Sequence, residues 1–318
     1  VFSDAFSSND ADFFAGYRRL TRTEINSYQC VSTEQKCAYF SFESIEIKIL
    51  AHLNQEFIMQ VTENTILITG GGSGIGRALA EAFHRLGNQV IIAGRRREVL
   101  EAAAQANPGM QTAIIDVQDT ADIARFAAEM ERRFPALNVV IHNAGIMKVE
   151  DWQADTVDTA TADAIVTTNL LAPIRLTSAL LPQLKRQPRA TVMTVTSGLA
   201  FLTLAMTPTY CATKAALHAF TEALRFQLEN TSIEVIEIAP PYVQTELMGA
   251  AQAQDPRAMP LAEFTAEVMD ILQTRPDVQE VLVKRVLPLR FAGGMDYEAY
   301  QEQFLGFNRA FAVDPHGV

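Results

Sequence analysis

Cysteine is scarce in this chain, tryptophan occurs once, and positive charge is in the minority. Only Cys30, Cys37 and Cys211 stand in 318 residues. Their spacing fits neither a disulfide framework nor a zinc site, so no metal is expected and a reducing, cytoplasmic location is. Lys and Arg total 26 against 37 Asp and Glu, a formal net charge of −11. That balance argues against a nucleic acid or an anionic membrane surface as partner. No apolar run is expected to approach a membrane span in length. What remains is 48% hydrophobic and 20% charged, an ordinary globular composition.

Residues 1–58 lack more. They hold one glycine, Gly16, and no proline, yet ten of the 26 aromatic residues and two of the three cysteines. They show no clear amphipathic period and no signal-peptide pattern. The character changes at Met59, which leads directly into a β-prone run. The expectation is that Met59 is the native start and that 1–58 is upstream translated sequence or an expression remnant. Gln55-Glu56 fits this, since a purine stretch resembling a bacterial ribosome-binding site can encode it. A genuine extension that docks on the domain or on a partner is the alternative.

From 59 to 318 apolar β-prone runs alternate with helical patterns. Strands are expected at 65–69, 89–93, 112–115, 138–141, 190–196, 233–238 and 280–284. Helices are expected at about 75–86, 98–106, 120–133, 157–185, 210–229 and 260–273. The alternation predicts one α/β domain: a Rossmann-type, doubly wound parallel sheet of about seven strands with helices on both faces. In such sheets ligands bind beyond the carboxyl ends of the strands.

Two motifs lie at those ends. Thr69-Gly70-Gly71-Gly72-Ser73-Gly74-Ile75-Gly76 joins the first strand to a helix, the setting in which backbone N–H groups cradle a pyrophosphate. Its spacing is not G-x-G-x-x-G, because Arg77 stands where the last glycine would be. The second motif is Ser197 followed by Tyr210-Cys211-Ala212-Thr213-Lys214. Tyr and Lys four apart share a helix face, and a nearby ammonium is expected to lower the phenol pKa. Moving it from ~10 to ~7 takes about 4 kcal/mol. A serine hydroxyl beside them can bond a substrate oxygen.

In this order the motifs resemble the short-chain dehydrogenase/reductase family, over essentially all of 59–318. Thr69, Gly70, Gly74, Ile75 and Gly76 match its glycine loop, in which Ser73 also lies. The resemblance implies that Asp116, with Val117, contacts the adenine, and that Asn143-Ala144-Gly145 contributes to the cofactor site. It implies a catalytic tetrad of Asn169, Ser197, Tyr210 and Lys214, with Asn169 holding a water that links Lys214 to solvent. It also implies that Pro240, Val243 and Thr245 hold the nicotinamide end, with Lys214 on the nicotinamide ribose. Leu86-Gly87-Asn88-Gln89-Val90, Thr207-Pro208-Thr209-Tyr210 and Pro240-Pro241-Tyr242-Val243 are similar to one bacterial oxidoreductase type, that found with D-alanylation of lipoteichoic acid. No substrate follows from this. His142 and Pro241 depart from the family pattern; His142 is expected to be structural, and Cys211 a small packed residue.

The second strand ends Ala93-Gly94-Arg95-Arg96-Arg97, with no acidic residue to take a ribose 2′-OH. Arg95, supported by Arg96, can grip a 2′-phosphate. NADP(H) is therefore favoured, with NAD(H) possible. The expected reaction is hydride transfer to or from a small, mostly apolar carbonyl or alcohol, with Tyr210 as general acid/base. Its pocket is expected near Leu199, Phe201, Tyr242 and 247–260. A cofactor-binding regulator without turnover remains an alternative. A nucleotide-sugar epimerase or dehydratase ranks lower, since only about 70 residues follow Thr245 and such enzymes carry a larger C-terminal substrate region. The helices at 157–185 and 210–229 resemble those that pair subunits in the family, implying a homodimer or homotetramer.

Overall fold

The computed structural model describes residues 60–311, all within one compact unit, Leu50–Val318. The expectation for residues 1–58 lies outside the described residues. Seven strands run β1 Thr65–Thr69, β2 Gln89–Gly94, β3 Gln111–Ile114, β4 Val139–His142, β5 Ala190–Val195, β6 Ile233–Ile238 and β7 Glu280–Val281. They form one sheet in the order β3-β2-β1-β4-β5-β6-β7, and every pairing is parallel. The order reverses between β1 and β4, so a crevice opens beyond their carboxyl ends.

Alternation along each strand builds two cores. Ile66, Ile68, Ile92 and Ile141 face one side, where they meet Leu79 and Phe83 of α1 (Gly74–Arg85), Leu100 of α2 (Arg97–Ala106) and Phe264 and Val268 of α8 (Leu261–Thr274). Leu67, Ile91, Val140 and Val192 face the other, against Phe126 of α3 (Thr120–Arg133) and Leu176, Leu180 and Leu184 of α5 (Ala172–Lys185). Burying each such side chain contributes about 1.5–3 kcal/mol. The side chain of Asp119 caps α3 by accepting from the Ala121 and Asp122 N–H groups, worth about 1 kcal/mol.

Several expected boundaries move for identifiable reasons. The helix expected from 157 begins at Ala160, because Asp158 Oδ1 accepts the Ala160 N–H and the chain turns there. It then runs as α4 (Ala160–Val166), a π-turn (Thr167–Leu171) and α5. This run of 26 residues is long and apolar enough to cross a membrane by length and composition, which corrects the expectation that no run would be. Within the fold it supplies one helical layer of the core. The last strand is Glu280–Val281 rather than 280–284, because its partner β6 runs into Pro240 and Pro241, which have no N–H to extend the ladder. The long helix after β5 is α6 (Pro208–Leu228). After β6 come the short α7 (Ala250–Gln254), then α8, α9 (Leu287–Arg290) and an unexpected C-terminal helix, α10 (Tyr297–Phe311).

Candidate active site

The glycine loop is held from below by Asn143. Asn143 Nδ2 donates to Thr69 O at 3.0 Å and Gly70 O at 3.3 Å. Thr69 Oγ1 accepts from the N–H groups of Asn143 and Ala144, both at 3.1 Å. Gly70 adopts φ +67° and Gly74 φ +52°, a region that glycine enters without penalty. The loop therefore turns sharply over the end of β4 and delivers the N-terminus of α1 to the crevice. Ser73 is the N-cap of α1, yet its side chain caps nothing. The first-turn N–H groups and the positive end of the helix are left for an anion.

That crevice is a cavity of about 1050 Å³. At one end it is lined by Gly70, Ser73, Gly74, Ile75, Arg95 and Arg96. Its middle is lined by Val117, Asn143, Ala144 and Gly145, and its far end by Ser197, Tyr210, Lys214, Pro240, Val243 and Thr245. The extent of the cavity, the bare backbone at Gly70–Gly74 and the uncapped helix end fit a dinucleotide lying across the switch point. Arg95 is exposed and makes no ion pair among the described residues. Arg96 Nη2 donates to Ser73 Oγ at 3.2 Å, tying the second strand to the loop.

Three residues expected at the site do not line it. Gly76 faces inward onto Asn143 and Gly70. Asp116 uses Oδ1 to accept the Gln118 N–H, so Val117 and Gln118 meet the cavity instead. Asn169, at the centre of the π-turn, is fully buried. Its Oδ1 accepts from Ile146 N–H at 2.9 Å and its Nδ2 donates to Ile146 O at 2.8 Å. Both side-chain atoms are thus engaged in holding the chain that follows Gly145.

Ser197, Tyr210 and Lys214 converge, and each is buried. Ser197 Oγ accepts the Leu199 N–H at 3.1 Å, leaving its own proton to be donated elsewhere. Lys214 Nζ donates to Val195 O at 2.7 Å and lies 5.5 Å from the Tyr210 ring centroid. Burial pulls the Lys214 pKa down to about 8, against the opposing charge of Glu237. Burial pushes the Tyr210 phenol above its ordinary value, while a hydrogen bond with Ser197 pulls it down. The expected lowering by Lys214 is therefore corrected: burial dominates and holds the phenol above its ordinary value, while the ammonium is itself desolvated and bonds the Val195 carbonyl.

His142 is structural, as expected. Its Nε2 lies 2.8 Å from Thr177 Oγ1 and burial holds its pKa at about 4. Cys211 is packed, and burial pushes its thiol up. Leu199, Tyr242 and Leu247 line the cavity as expected, but Phe201 does not. Phe201 instead meets the His218 ring edge-on at 4.7 Å and lies under the Arg290 guanidinium at 4.4 Å. The wall beside Tyr210 is Met147, Leu204, Met206, Phe307 and Phe311. Phe307 and Phe311 come from α10, and the stripe Tyr300, Phe304, Phe307 and Phe311 is the helical spacing that marks it in the sequence. Gln118 was also missed; its Nε2 donates to Thr168 Oγ1 at 2.7 Å across the cavity wall.

Residues 64–256 match the family described as short chain dehydrogenase. The chain is 41% identical over 248 residues to the uncharacterized oxidoreductase DltE of Bacillus subtilis, covering 77% of this chain and 98% of the relative. Among solved structures, an alcohol dehydrogenase from the archaeon Thermococcus sibiricus, complexed with 5-hydroxy-NADP, is similar at 25% identity and a TM-score of 0.62. That likeness covers 70% of this chain and 97% of the other. A short chain dehydrogenase/reductase from Burkholderia phymatum in complex with NAD is similar in fold at 19% identity and a TM-score of 0.65, covering 77% and 97%.

Proposed function

The chain belongs to the short-chain dehydrogenase/reductase family, and from that premise we propose that it is an NADP(H)-dependent oxidoreductase that reduces a small, mostly apolar carbonyl compound or oxidises the corresponding alcohol. One observation carries the reading: Ser197, Tyr210 and Lys214 open onto the same cavity as the glycine loop and the start of α1.

When bound, the nicotinamide supplies or accepts the hydride and, oxidised, adds positive charge near the phenol. The chain's own groups handle the proton and the oxygen. Tyr210 donates its proton to the carbonyl oxygen in reduction and recovers it in oxidation. Without a cofactor, burial keeps the phenol in its protonated form. Ser197, whose hydroxyl bonds Tyr210 here, turns its proton to that oxygen and steadies the negative charge that develops there. Lys214 sets the potential at Tyr210 and bonds the ribose. Asn169 holds the loop at Ile146 through its side chain, and in this reading it also holds a water that links Lys214 to solvent. Gly70, Gly74 and the N–H groups of α1 receive the pyrophosphate, with Ser73 beside it. Arg95 and Arg96 take the 2′-phosphate, a preference supported by the missing acidic residue after β2 and by Arg95, which makes no ion pair among the described residues. The apolar wall of Met147, Leu204, Met206, Phe307 and Phe311 supports a substrate with few charges.

The same reading includes a homodimer or homotetramer paired through α4–α5 and α6, and a cytoplasmic location. Titration of NADPH consumption against a panel of aldehydes and ketones tests the function. Turnover of at least one apolar member is expected; binding of NADPH with no turnover across the panel would favour a regulator.

A further inference from the structure

Glu237 of β6 is fully buried and bonded through both carboxylate oxygens. Thr196 Oγ1 donates to Oε1 at 2.5 Å, and His218 Nδ1 meets Oε2 at 2.7 Å. Thr196 immediately precedes Ser197, and His218 lies one helical turn beyond Lys214 on α6. The carboxylate therefore ties the strand end that carries Ser197 to the helix that carries Tyr210 and Lys214. Two more contacts continue the seam. Lys214 Nζ reaches Val195 O, and Thr194 Oγ1 lies 2.8 Å from Thr221 Oγ1. Positions 214, 218 and 221 share one face of α6, so the seam fixes the roll of that helix on the sheet.

The surroundings of the pair are charged and closed. His218 Nε2 lies 3.5 Å from Glu222 on the solvent side. Glu280 of β7 is bonded twice by Arg290 of α9, at 2.6 and 2.9 Å. Arg290 lies over Phe201, whose ring meets His218. Arg225 spends its guanidinium on Val235 O and Gln279 O. His218, Glu237 and Glu280 each offer one atom within 4.8 Å of the others. Because Arg290 already neutralises Glu280, these groups form charge pairs rather than a metal site.

We propose that Glu237 and His218 are a positioning pair for the Tyr210–Lys214 helix: the two bonds of Glu237 hold Ser197 opposite that helix, and its buried charge keeps the Lys214 ammonium charged. The proposal rests on the reading of Tyr210 and Lys214 as catalytic groups. The physical need is plain, since among the described residues the only hydrogen-bond partner of Lys214 is a neutral carbonyl and a buried ammonium without counter-charge sheds its proton. Burial does pull Lys214 down, and Glu237 is the charge that opposes it. His218 in turn compensates the carboxylate, and Glu237 raises the pKa of the imidazole. A buried carboxylate with no cation beside it would be costly.

Lysine NMR tests this without turnover or cofactor. The chain has six lysines, so ¹³Cε-labelled resonances are few, and Lys214→Arg assigns the one at issue. Glu237→Gln keeps the shape and an acceptor for Thr196 but removes the charge. The Lys214 titration midpoint is expected to fall by about one pH unit, and Glu237→Asp to keep it near the wild-type value. A merely structural residue would, when replaced, loosen and wet the helix and move the midpoint up towards that of free lysine. A rise, or no change, overturns the proposal. Should Glu237→Gln fail to fold, the wild-type His218 ring decides by ¹H–¹⁵N correlation: a midpoint above 6.5 is expected, and one at or below it overturns the pairing. Because neither measurement depends on catalysis, this inference can fail while Tyr210 proves catalytic, and the converse.

Discussion

A β-carbon on Gly76 would come within 2.3 Å of Asn143 Nδ2 and 2.5 Å of Gly70 O. The two residues thus compete for one space, which the asparagine amide occupies while bonding the first turn of the glycine loop. Gly76→Ala is expected to push the amide off those carbonyls. Overpacking of this kind costs about 1–3 kcal/mol, read as a lower midpoint in thermal or denaturant unfolding. NADPH affinity should fall with it, because the displaced bonds hold the backbone proposed to receive the phosphates. An unchanged midpoint would mean that the loop yields without cost.

Gly76 also illustrates what could be read from the sequence. The strand, glycine loop and helix were legible because three local signals agree there, and all seven strands were found because each is an apolar run between turns. Which motif residues would face the cavity was not legible. Gly76, Asp116 and Asn169 sit in the motifs yet point into backbone contacts, and only the packing of β1 on β4 and of the π-turn on Ile146 decides that. Phe201 was misplaced for the same reason, since its partners His218 and Arg290 come from α6 and α9. Helix α10 escaped because it buries no residue fully. Its aromatic stripe serves the cavity wall rather than the core.

Tyr210→Phe removes one hydroxyl from a ring that is otherwise packed among Met147, Leu204 and Cys211. The ring's packing, and with it the fold and NADPH binding, should survive. Turnover of any active carbonyl should fall by about 10²–10⁴-fold, the range for losing a general acid. NADPH titration by fluorescence, alongside steady-state rates, separates the two effects. A variant with near-normal kcat would remove Tyr210 from the mechanism.

Arg95→Asp tests cofactor choice. Arg95 is exposed, makes no ion pair among the described residues and lies at the cavity edge, so its loss should disturb little else. A charge-assisted hydrogen bond is worth about 1.5–3 kcal/mol, so KM for NADPH should rise by about ten- to a hundredfold. KM for NADH should change little, or fall as the new carboxylate reaches the 2′-OH. Equal losses for both cofactors would withdraw the NADP(H) assignment.

His142 should leave a signature in stability against pH. Its ring is enclosed between β4 and Thr177 of α5, and burial holds its pKa at about 4 against an ordinary 6.5. Between those values the unfolded chain takes up a proton that the folded chain refuses. Stability therefore rises with pH across this window and is lost as pH falls from 6.5 towards 4, by about 3 kcal/mol in all. His142→Asn places a neutral amide at the position and removes this dependence. The carboxylates and His218 titrate alike in both proteins, so the comparison isolates the ring. Measured by urea unfolding at pH 6.5 and pH 5, the wild type should lose about 2 kcal/mol more than the variant over that interval. Parallel losses would mean that the ring accepts a proton within the fold, which its closed environment beside the Thr177 hydroxyl should not allow.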